Sequence, residues 1–260
     1  IMKIGDFDTD SKALNNRVDI QNKLSSFNLN KWIFHQLNPF KGSICLDLGC
    51  GLGNQSLPLA EITGENGHVF SIDSSKRSIQ LLEKNATKLN VHKQIITTCC
   101  ELDNIDSYLD RKKFDRIVGS YSLYYVKNAE KMFLTISKIL KTNGVLFFCG
   151  PSHGNNFELR SLIAKISADN DILKDTIASR FMEKESQNIC QKLFSKVRIT
   201  TFKNPVIFSD LKNLMAYWRS HNLFNKEFEV EFEDAALRHF DKYNEFVNTK
   251  RGIGICITKD

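Results

Sequence analysis

The sequence predicts an α/β fold in which a mostly parallel β-sheet carries helices on both faces. Short apolar runs alternate with amphipathic stretches from residue 43 onward, as is typical of such a sheet. Five runs are predicted strands: 43–48, 68–72, 94–99, 115–119 and 145–149. The stretches between them have helical spacing, most clearly at 129–140, and Asn143-Gly144 is a stop signal before the fifth strand.

Further elements are expected on both sides of this core. They are a helix at 29–37, a helical stretch at 157–194, a strand at 197–202, a helix capped by Ser209 and a last strand at 252–258. We therefore expect one domain. Its parts are an N-terminal helical cap (1–40), a ligand-binding core (41–150), a helical lid (151–196), and C-terminal strands and helices (197–260).

The composition is that of a soluble enzyme and not of a membrane protein. Of the 260 residues, 42% are hydrophobic and 25% are charged. No apolar run approaches the roughly 18 residues that span a bilayer. The polar stretch after Met2 lacks the apolar core of a signal peptide. We expect a cytoplasmic protein without a membrane span.

Charge and cysteine patterns give little support for nucleic acid or metal. The net charge is +6, but acidic and basic residues are interleaved without a long basic block. A small anionic substrate would suit this surface as well as nucleic acid would. The favoured interpretation is an ordinary solvated surface without a charged partner. The seven cysteines have no zinc-type spacing, so they are interpreted as reduced, buried hydrophobic residues. The oligomeric state does not follow from the sequence.

The most informative segment is a glycine-rich turn after the first predicted strand. Gly49, Gly51 and Gly53 alternate with Cys50 and Leu52, and Asn54 follows before a helix. Glycines at such positions let a ligand approach the backbone closely. A dinucleotide site normally has the spacing GxGxxG, whereas this segment reads GxGxG.

Asp47 precedes the first glycine by two residues and changes the expected ligand. A carboxylate beneath the turn repels a pyrophosphate, which binds at a helix N-terminus because it is negatively charged. S-adenosylmethionine (SAM) has no phosphate, and its ammonium and sulfonium groups are cations. Asp47 therefore favours SAM over a nicotinamide dinucleotide. The alternative is that Asp47 only caps a turn.

A second acid, Asp73, ends the second predicted strand twenty residues after Gly53, and Ser74 follows it. A ribose-binding carboxylate is expected at this place, where it accepts hydrogen bonds from both ribose hydroxyls. The alternative is a cap for the following helix. Its position one βαβ unit after Gly49 makes the ribose interpretation more specific.

Together, LDLGCGLGN and SIDSS resemble the class I SAM-dependent methyltransferases, in particular those that act on small molecules. The resemblance covers about residues 41–150. It implies a Rossmann-like, seven-stranded sheet with an antiparallel last strand and ligands at the carboxyl edge. It also implies adenine contacts at Glu101 and Leu102 and a position beside the methyl group for Ser120. The family's usual proline before the fifth strand is Thr142 here, which changes turn chemistry only.

Methyl transfer needs an acceptor held close to the methyl carbon, and a base only where the acceptor must lose a proton early. Tyr121, after the fourth strand, and His153, after the fifth, are the candidate catalytic residues. Tyr124 and Tyr125 are candidates for surrounding the sulfonium or an apolar acceptor. Packing of a helix against the sheet is the alternative role for these two tyrosines.

Trp218 and Arg219 are candidate substrate contacts, since an arginine fork suits a carboxylate or phosphate. The alternative is a core residue beside a solvated rim. After the fourth strand, Ser120-Tyr121-Ser122-Leu123 replaces the Asp/Asn-Pro-Pro-aromatic signature of enzymes that methylate nucleic acid amino groups. A small acceptor is therefore expected, and methylation on oxygen or nitrogen is favoured over methylation on carbon. An RNA or protein methyltransferase, a nicotinamide-dependent oxidoreductase and a non-catalytic SAM-binding protein remain the alternatives.

Overall fold

The computed structural model describes residue 16, residues 19–20, residues 23–109 and residues 112–260. The first fifteen residues of the predicted N-terminal cap lie outside the described residues. None of the helices within the described ranges is long and apolar enough to cross a membrane.

Seven strands of the described chain form one sheet. They are β1 (Ile44–Leu48), β2 (His68–Asp73), β3 (Ile95–Cys99), β4 (Phe114–Ser120), β5 (Leu140–Pro151), β6 (Lys196–Phe208) and β7 (Phe246–Thr258). Their order across the sheet is β3-β2-β1-β4-β5-β7-β6. The pairs β2–β3, β1–β2, β1–β4 and β4–β5 are parallel, whereas β7 runs antiparallel to β5. The predicted seven-stranded, mostly parallel sheet with an antiparallel last strand is confirmed.

The described helices are α1 (Leu29–Leu37), α2 (Ser56–Thr63), α3 (Lys76–Lys88), α4 (Asp106–Leu109), α5 (Ala129–Ile139), α6 (Phe157–Ser167), α7 (Ile177–Arg180), α8 (Ser186–Leu193), α9 (Leu211–Arg219) and α10 (Glu229–Tyr243). Short 3₁₀ segments lie at Leu102–Asn104, Leu123–Tyr125, Asn170–Leu173 and Lys226–Phe228, and a π-helical turn at Phe181–Glu185 joins α7 to α8.

Local side-chain caps explain where several helices begin. Ser75 accepts a hydrogen bond from the Ser78 backbone N–H at the start of α3, and Asn128 does the same for Lys131 at the start of α5. The sequence prediction of a Ser209 cap for α9 is wrong by one residue. Asp210 is the cap, because its carboxylate accepts the Asn213 N–H at 2.8 Å.

The fifth strand begins five residues earlier than predicted. It follows α5 directly at Leu140, and Asn143 lies inside it with φ of 60° instead of ending the element before it. The Asn143 N–H donates to the Lys259 carbonyl at 2.8 Å, so the residues beyond the end of β7 support this bend. β6 and β7 are likewise longer than their predicted cores at 197–202 and 252–258.

The chain divides into two compact units. The sheet unit comprises 29–152, 177–201 and 252–260, and the second unit comprises 153–176, 202–251 and the described residues before 29. The sheet unit has two main apolar clusters, which include Phe133 and Phe148 in one and Ile33 and Phe147 in the other. The second unit has its own core around Trp218.

The segment 151–196 is largely helical, as predicted, but its parts belong to different units. α6 lies in the second unit, whereas α7, the π-helical turn and α8 lie in the sheet unit. The 151–196 lid and the single domain therefore stay predictions.

Candidate cofactor site

The glycine turn follows β1 and is anchored to β2 by backbone hydrogen bonds. The N–H groups of Gly49 and Cys50 both donate to the Ile72 carbonyl, at 2.8 and 2.9 Å. Gly49, Gly51 and Gly53 all have positive φ, at 76°, 51° and 91°. The left-handed backbone that glycine tolerates best is therefore used at each of the three alternating positions.

The three glycines differ in what a side chain would contact. A Cβ at Gly49 would lie 2.3 Å from the Ser122 Cβ, and one at Gly53 would lie 2.3 Å from Leu82 Cδ1. A Cβ at Gly51 would have no heavy atom within 4 Å. Gly49 and Gly53 are thus required for packing, while Gly51 faces open space in which a ligand can approach the backbone.

Asp73 is bonded directly to this turn. Its Oδ2 accepts the Gly51 N–H at 2.8 Å, and its Oδ1 accepts the Ser75 N–H at 2.8 Å. The second bond supports the alternative role of Asp73, which is to stabilise the start of the following helix. The residue that caps this helix, α3, is however Ser75. A carboxylate has about four acceptor sites, so two backbone bonds leave capacity for two ribose hydroxyls.

The other turn residues contribute mainly through their backbone. Cys50 is buried beside Ile79 and Leu82, and burial raises the pKa of its thiol far above the ordinary value. Asn54 is exposed, and its carbonyl accepts a 2.7 Å hydrogen bond from the Asn30 side chain of α1. Asn30 also accepts a bond from the Gln55 side chain at 2.8 Å. Asn30 has no local sequence signal as a site residue, because its partners are more than twenty residues away.

Asp47 lies beneath the turn and is completely buried. Its Oδ2 accepts the Ser56 hydroxyl at 2.5 Å, and its Oδ1 has no hydrogen-bond partner among the described residues. Burial raises the pKa of Asp47 from 3.8 to about 7, against the lowering effect of the Ser56 bond, and the nearby charge of Asp73 adds to the rise. Asp47 can therefore act on a ligand through its electric field, while its cofactor role stays a prediction.

The predicted adenine positions follow β3. The Cys100 N–H donates to the Asp73 carbonyl at 3.0 Å, which joins the end of β3 to the end of β2. Glu101 is exposed and precedes the 3₁₀ segment that begins at Leu102, which is half-buried. Ser74 is exposed, and its carbonyl is 3.5 Å from the Cys99 Sγ. These positions share the carboxyl edge of the sheet with Asp73.

The end of β4 has an unusual backbone. Tyr121 has φ of 57°, although it is not a glycine, and its N–H donates to the Cys149 carbonyl of β5 at 2.9 Å. Non-glycine residues in this region store strain and cluster at functional sites. Ser120, just before it, is half-buried, with its Oγ 3.8 Å from the Cys149 Sγ.

Ser122 was not predicted as a site residue, yet it connects β4 to the glycine turn. Its hydroxyl donates to the Leu48 carbonyl at 2.5 Å, and its Cβ occupies the space that a side chain at Gly49 would need. A local sequence pattern does not reveal this contact, because the two residues are more than seventy positions apart.

Tyr124 and Tyr125 form an aromatic pair with ring centroids 4.6 Å apart. Tyr124 is half-buried and packs against the core, whereas Tyr125 is 49% exposed. A Cβ at Gly150 of β5 would lie 3.1 Å from Tyr124 Cε1 and 2.9 Å from Met182 Cγ of the π-helical turn. The structure therefore supports packing for Tyr124, and the role of either tyrosine in acceptor binding stays a prediction.

The remaining candidates lie in the second unit. His153 is exposed and pairs through Nδ1 with the Asp175 carboxylate, a partner that the sequence did not indicate. Trp218 is fully buried and stacks on Phe232 at 3.8 Å, as its alternative core role requires. Arg219 donates to Glu229 at 2.6 Å. Catalytic and substrate roles for these residues stay predictions.

The described residues contain no group of three or more histidines, cysteines or acids placed to hold a metal ion. All seven cysteines are free thiols. The expectation that they are buried is wrong for Cys99, which is exposed, and for Cys100, which is half-buried. Cys99 is the last residue of β3, an edge strand of the sheet, and Cys100 follows it.

Residues 39–198 match the family model described as a methyltransferase domain. The chain belongs to this family, and its predicted assignment to the class I SAM-dependent methyltransferases is confirmed. A solved structure of a geranyl diphosphate methyltransferase in complex with SAM has a TM-score of 0.54 at 14% identity, and the match covers 99% of this chain and 93% of that one. At this identity the likeness shows the fold alone.

Two curated relatives match shorter stretches. A probable cobalt-precorrin-6B C(15)-methyltransferase (decarboxylating) of Saccharolobus solfataricus is 36% identical over 30% of this chain. A demethylmenaquinone methyltransferase of Lactobacillus johnsonii is 27% identical over 48% of it. The matched stretches span 38% and 52% of the length of these two relatives.

Replacing Asp47 with asparagine should change the pH dependence of stability. Ionisation of Asp47 is costlier in the folded protein, because its pKa there is about 7 instead of 3.8. The free energy of unfolding of the wild type should therefore fall, relative to Asp47→Asn, as the pH rises through the interval between these two values. The loss should approach about 1.4 kcal/mol per pH unit within the interval.

Urea unfolding of both proteins at several pH values measures this difference. The exposed Asp241→Asn is the control, which should stay within about 0.5 kcal/mol of the wild type. The contrary result is a difference in unfolding free energy between the wild type and Asp47→Asn that stays constant with pH. It would show that ionisation of Asp47 has no free-energy cost in the folded protein.

Proposed function

We propose that this protein is a SAM-dependent methyltransferase that modifies a small-molecule acceptor. The observation that carries the proposal is the hydrogen bond between Gly51 and Asp73, which joins the predicted ribose acid to the open glycine of the turn. An open backbone surface and a carboxylate with remaining acceptor capacity suit a nucleoside that lacks a pyrophosphate. The arrangement therefore fits SAM.

In this proposal the sheet unit holds the cofactor along its carboxyl edge. Asp73 accepts the ribose hydroxyls, Glu101 and Leu102 border the adenine, and the backbone at Gly51 borders the amino-acid portion. Bound SAM supplies a methyl group on a cationic sulfur, which is a good leaving group. Tyr121 and Ser120, at the end of β4, border the position of the acceptor and orient it. Positioning of this kind accounts for a large part of the rate of such a displacement.

His153 is the proposed general base for an acceptor that must lose a proton, such as a hydroxyl. Its pairing with Asp175 fixes the ring so that Nδ1 faces the carboxylate. An acceptor that is already an anion needs no such step.

A small acceptor is supported by two observations. The residues after β4, Ser120-Tyr121-Ser122-Leu123, lack the signature of enzymes that methylate nucleic acid amino groups. The relatives named above include a demethylmenaquinone methyltransferase and a probable cobalt-precorrin-6B methyltransferase, whose names describe small-molecule acceptors. We extend that acceptor class to this chain and propose oxygen or nitrogen as the methylated atom in preference to carbon, although the name of the precorrin relative describes methylation at a carbon, C(15).

The acceptor class is tested by incubating the protein with methyl-labelled SAM and separated metabolite, RNA and protein fractions of a cell extract. We expect label in the metabolite fraction. Label that appears only in RNA or in protein would overturn the small-molecule assignment. The absence of transfer to any fraction, with SAM bound, would support a non-catalytic SAM-binding protein.

Replacing Asp73 with alanine should weaken SAM binding by about 1–3 kcal/mol, because the ribose loses its charged acceptor. Asp115→Ala is a matched control. Asp115 also accepts a 2.8 Å bond from a backbone N–H, that of Ile44, but it lies at the opposite end of its strand. Calorimetric titration measures both affinities, and urea unfolding shows whether the two variants lose comparable stability. Equal SAM affinity in the wild type and Asp73→Ala would remove Asp73 from the site.

A further inference from the structure

Three buried polar side chains form a hydrogen-bonded chain beneath the glycine turn. Ser71 of β2 donates its hydroxyl to Ser56 at 2.8 Å, and Ser56 of α2 donates its hydroxyl to Asp47 at 2.5 Å. All three side chains are completely buried. The local sequence pattern indicates Asp47 alone, because the two serines come from different elements.

The hydroxyl groups of this hydrogen-bonded chain donate in one direction, toward the Asp47 carboxyl, and so orient it. Each hydroxyl has one proton, and both protons point toward Asp47, so Oδ2 is the oxygen that accepts. Oδ1 is buried and has no partner among the described residues. A proton on Oδ1 in the neutral acid leaves Oδ2 able to keep accepting the Ser56 hydroxyl.

The charges around Asp47 disfavour its ionised form. None of the ion pairs among the described residues includes Asp47, and the charge that acts on its pKa is that of another acid, Asp73, which raises it. The other titratable neighbours are the Cys50 thiol in the turn and the Cys45 thiol on β1, and both are buried. On β4 the paired residue is the apolar Val118. A buried carboxyl without a cation tends to stay neutral.

We propose that Asp47 keeps its proton in the cofactor-free protein and releases it when SAM binds, and that Ser56, oriented by Ser71, is the residue that positions the carboxyl for this exchange. The inference rests on the proposed function. The carboxyl O–H bond breaks, its electron pair stays on that oxygen, and the proton passes to solvent. The cationic groups of the cofactor then stabilise the new carboxylate through the turn.

Proton release on binding determines the direction in which SAM affinity changes with pH. Below the pKa of Asp47, about 7, SAM must displace a proton, so its affinity rises as the pH increases. Above that pKa the carboxylate is already present and the affinity levels off. S-adenosylhomocysteine lacks the sulfonium charge and should displace less of the proton. The preference of the protein for SAM over the product is therefore expected to be smaller near pH 6 than near pH 8, because SAM affinity falls more steeply as the pH decreases.

Calorimetric titration of the full chain with SAM, in buffers of different ionisation enthalpy, counts the protons released. The wild type should release close to one more proton per SAM than Asp47→Asn near pH 6, and about the same number near pH 8.5. Subtracting the Asp47→Asn value removes the proton changes of SAM itself. Equal proton counts in the two proteins at every pH would overturn the proposal.

The role of Ser56 is tested by Ser56→Ala, with Ser43→Ala as a matched control. Both serines are completely buried, but Ser43 precedes β1 and donates to the Phe40 carbonyl instead of to Asp47. Ser56→Ala should bind SAM about tenfold more weakly near pH 7 and should extend proton release to higher pH, because the carboxylate loses its donor. Ser71→Ala should change both quantities in the same direction by less. An unchanged pH range of proton release in Ser56→Ala would refute the positioning role.

The outcomes separate this inference from the proposed function. If SAM binds without release of a proton from Asp47, the proposed function stands and only this inference fails. No SAM binding at any pH, in protein that unfolds cooperatively in urea, removes the proposed function itself. Urea unfolding of each variant identifies any that has failed to fold.

Discussion

The hydrogen bond from the Gly51 N–H to Asp73 is the interaction on which the cofactor site depends. It joins the turn after β1 to the end of β2, and the bond from Cys100 to the Asp73 carbonyl extends the same connection to β3. Gly49 and Gly53 make this arrangement possible, because a side chain at either would overlap Ser122 or Leu82. Three strand ends are thereby fixed around one open backbone surface beside Gly51.

Local patterns were sufficient to predict the part of the structure that forms within one βαβ unit. The strand, turn and helix around Gly49 and the acid at Asp73 follow from spacing alone, since their chemistry is local. Ser122 and Asn30 were missed because they reach the turn from distant segments. The last two residues of β5 were missed for the same reason, since Gly150 and Pro151 lie opposite Ile253 and Gly252 of β7. Pairing between distant strands is not encoded in the local periodicity of either.

Asp47 shows how far an electrostatic argument from sequence can go. The sequence places an acid two residues before the first glycine, and from there a fixed negative charge is the natural expectation. The structure buries that carboxyl on a chain of two serines, which makes its charge depend on pH and on a nearby cation. The attraction for a cationic ligand is retained, but it is coupled to a proton.

The measurement that tests the account most directly compares SAM and NADH as ligands of the purified protein by calorimetric titration. An open glycine turn above a buried acid should bind SAM and S-adenosylhomocysteine with saturable 1:1 heats and should give no binding heat with NADH. Saturable binding of NADH, together with no heat from SAM, would contradict the assignment of this site to a cationic nucleoside cofactor.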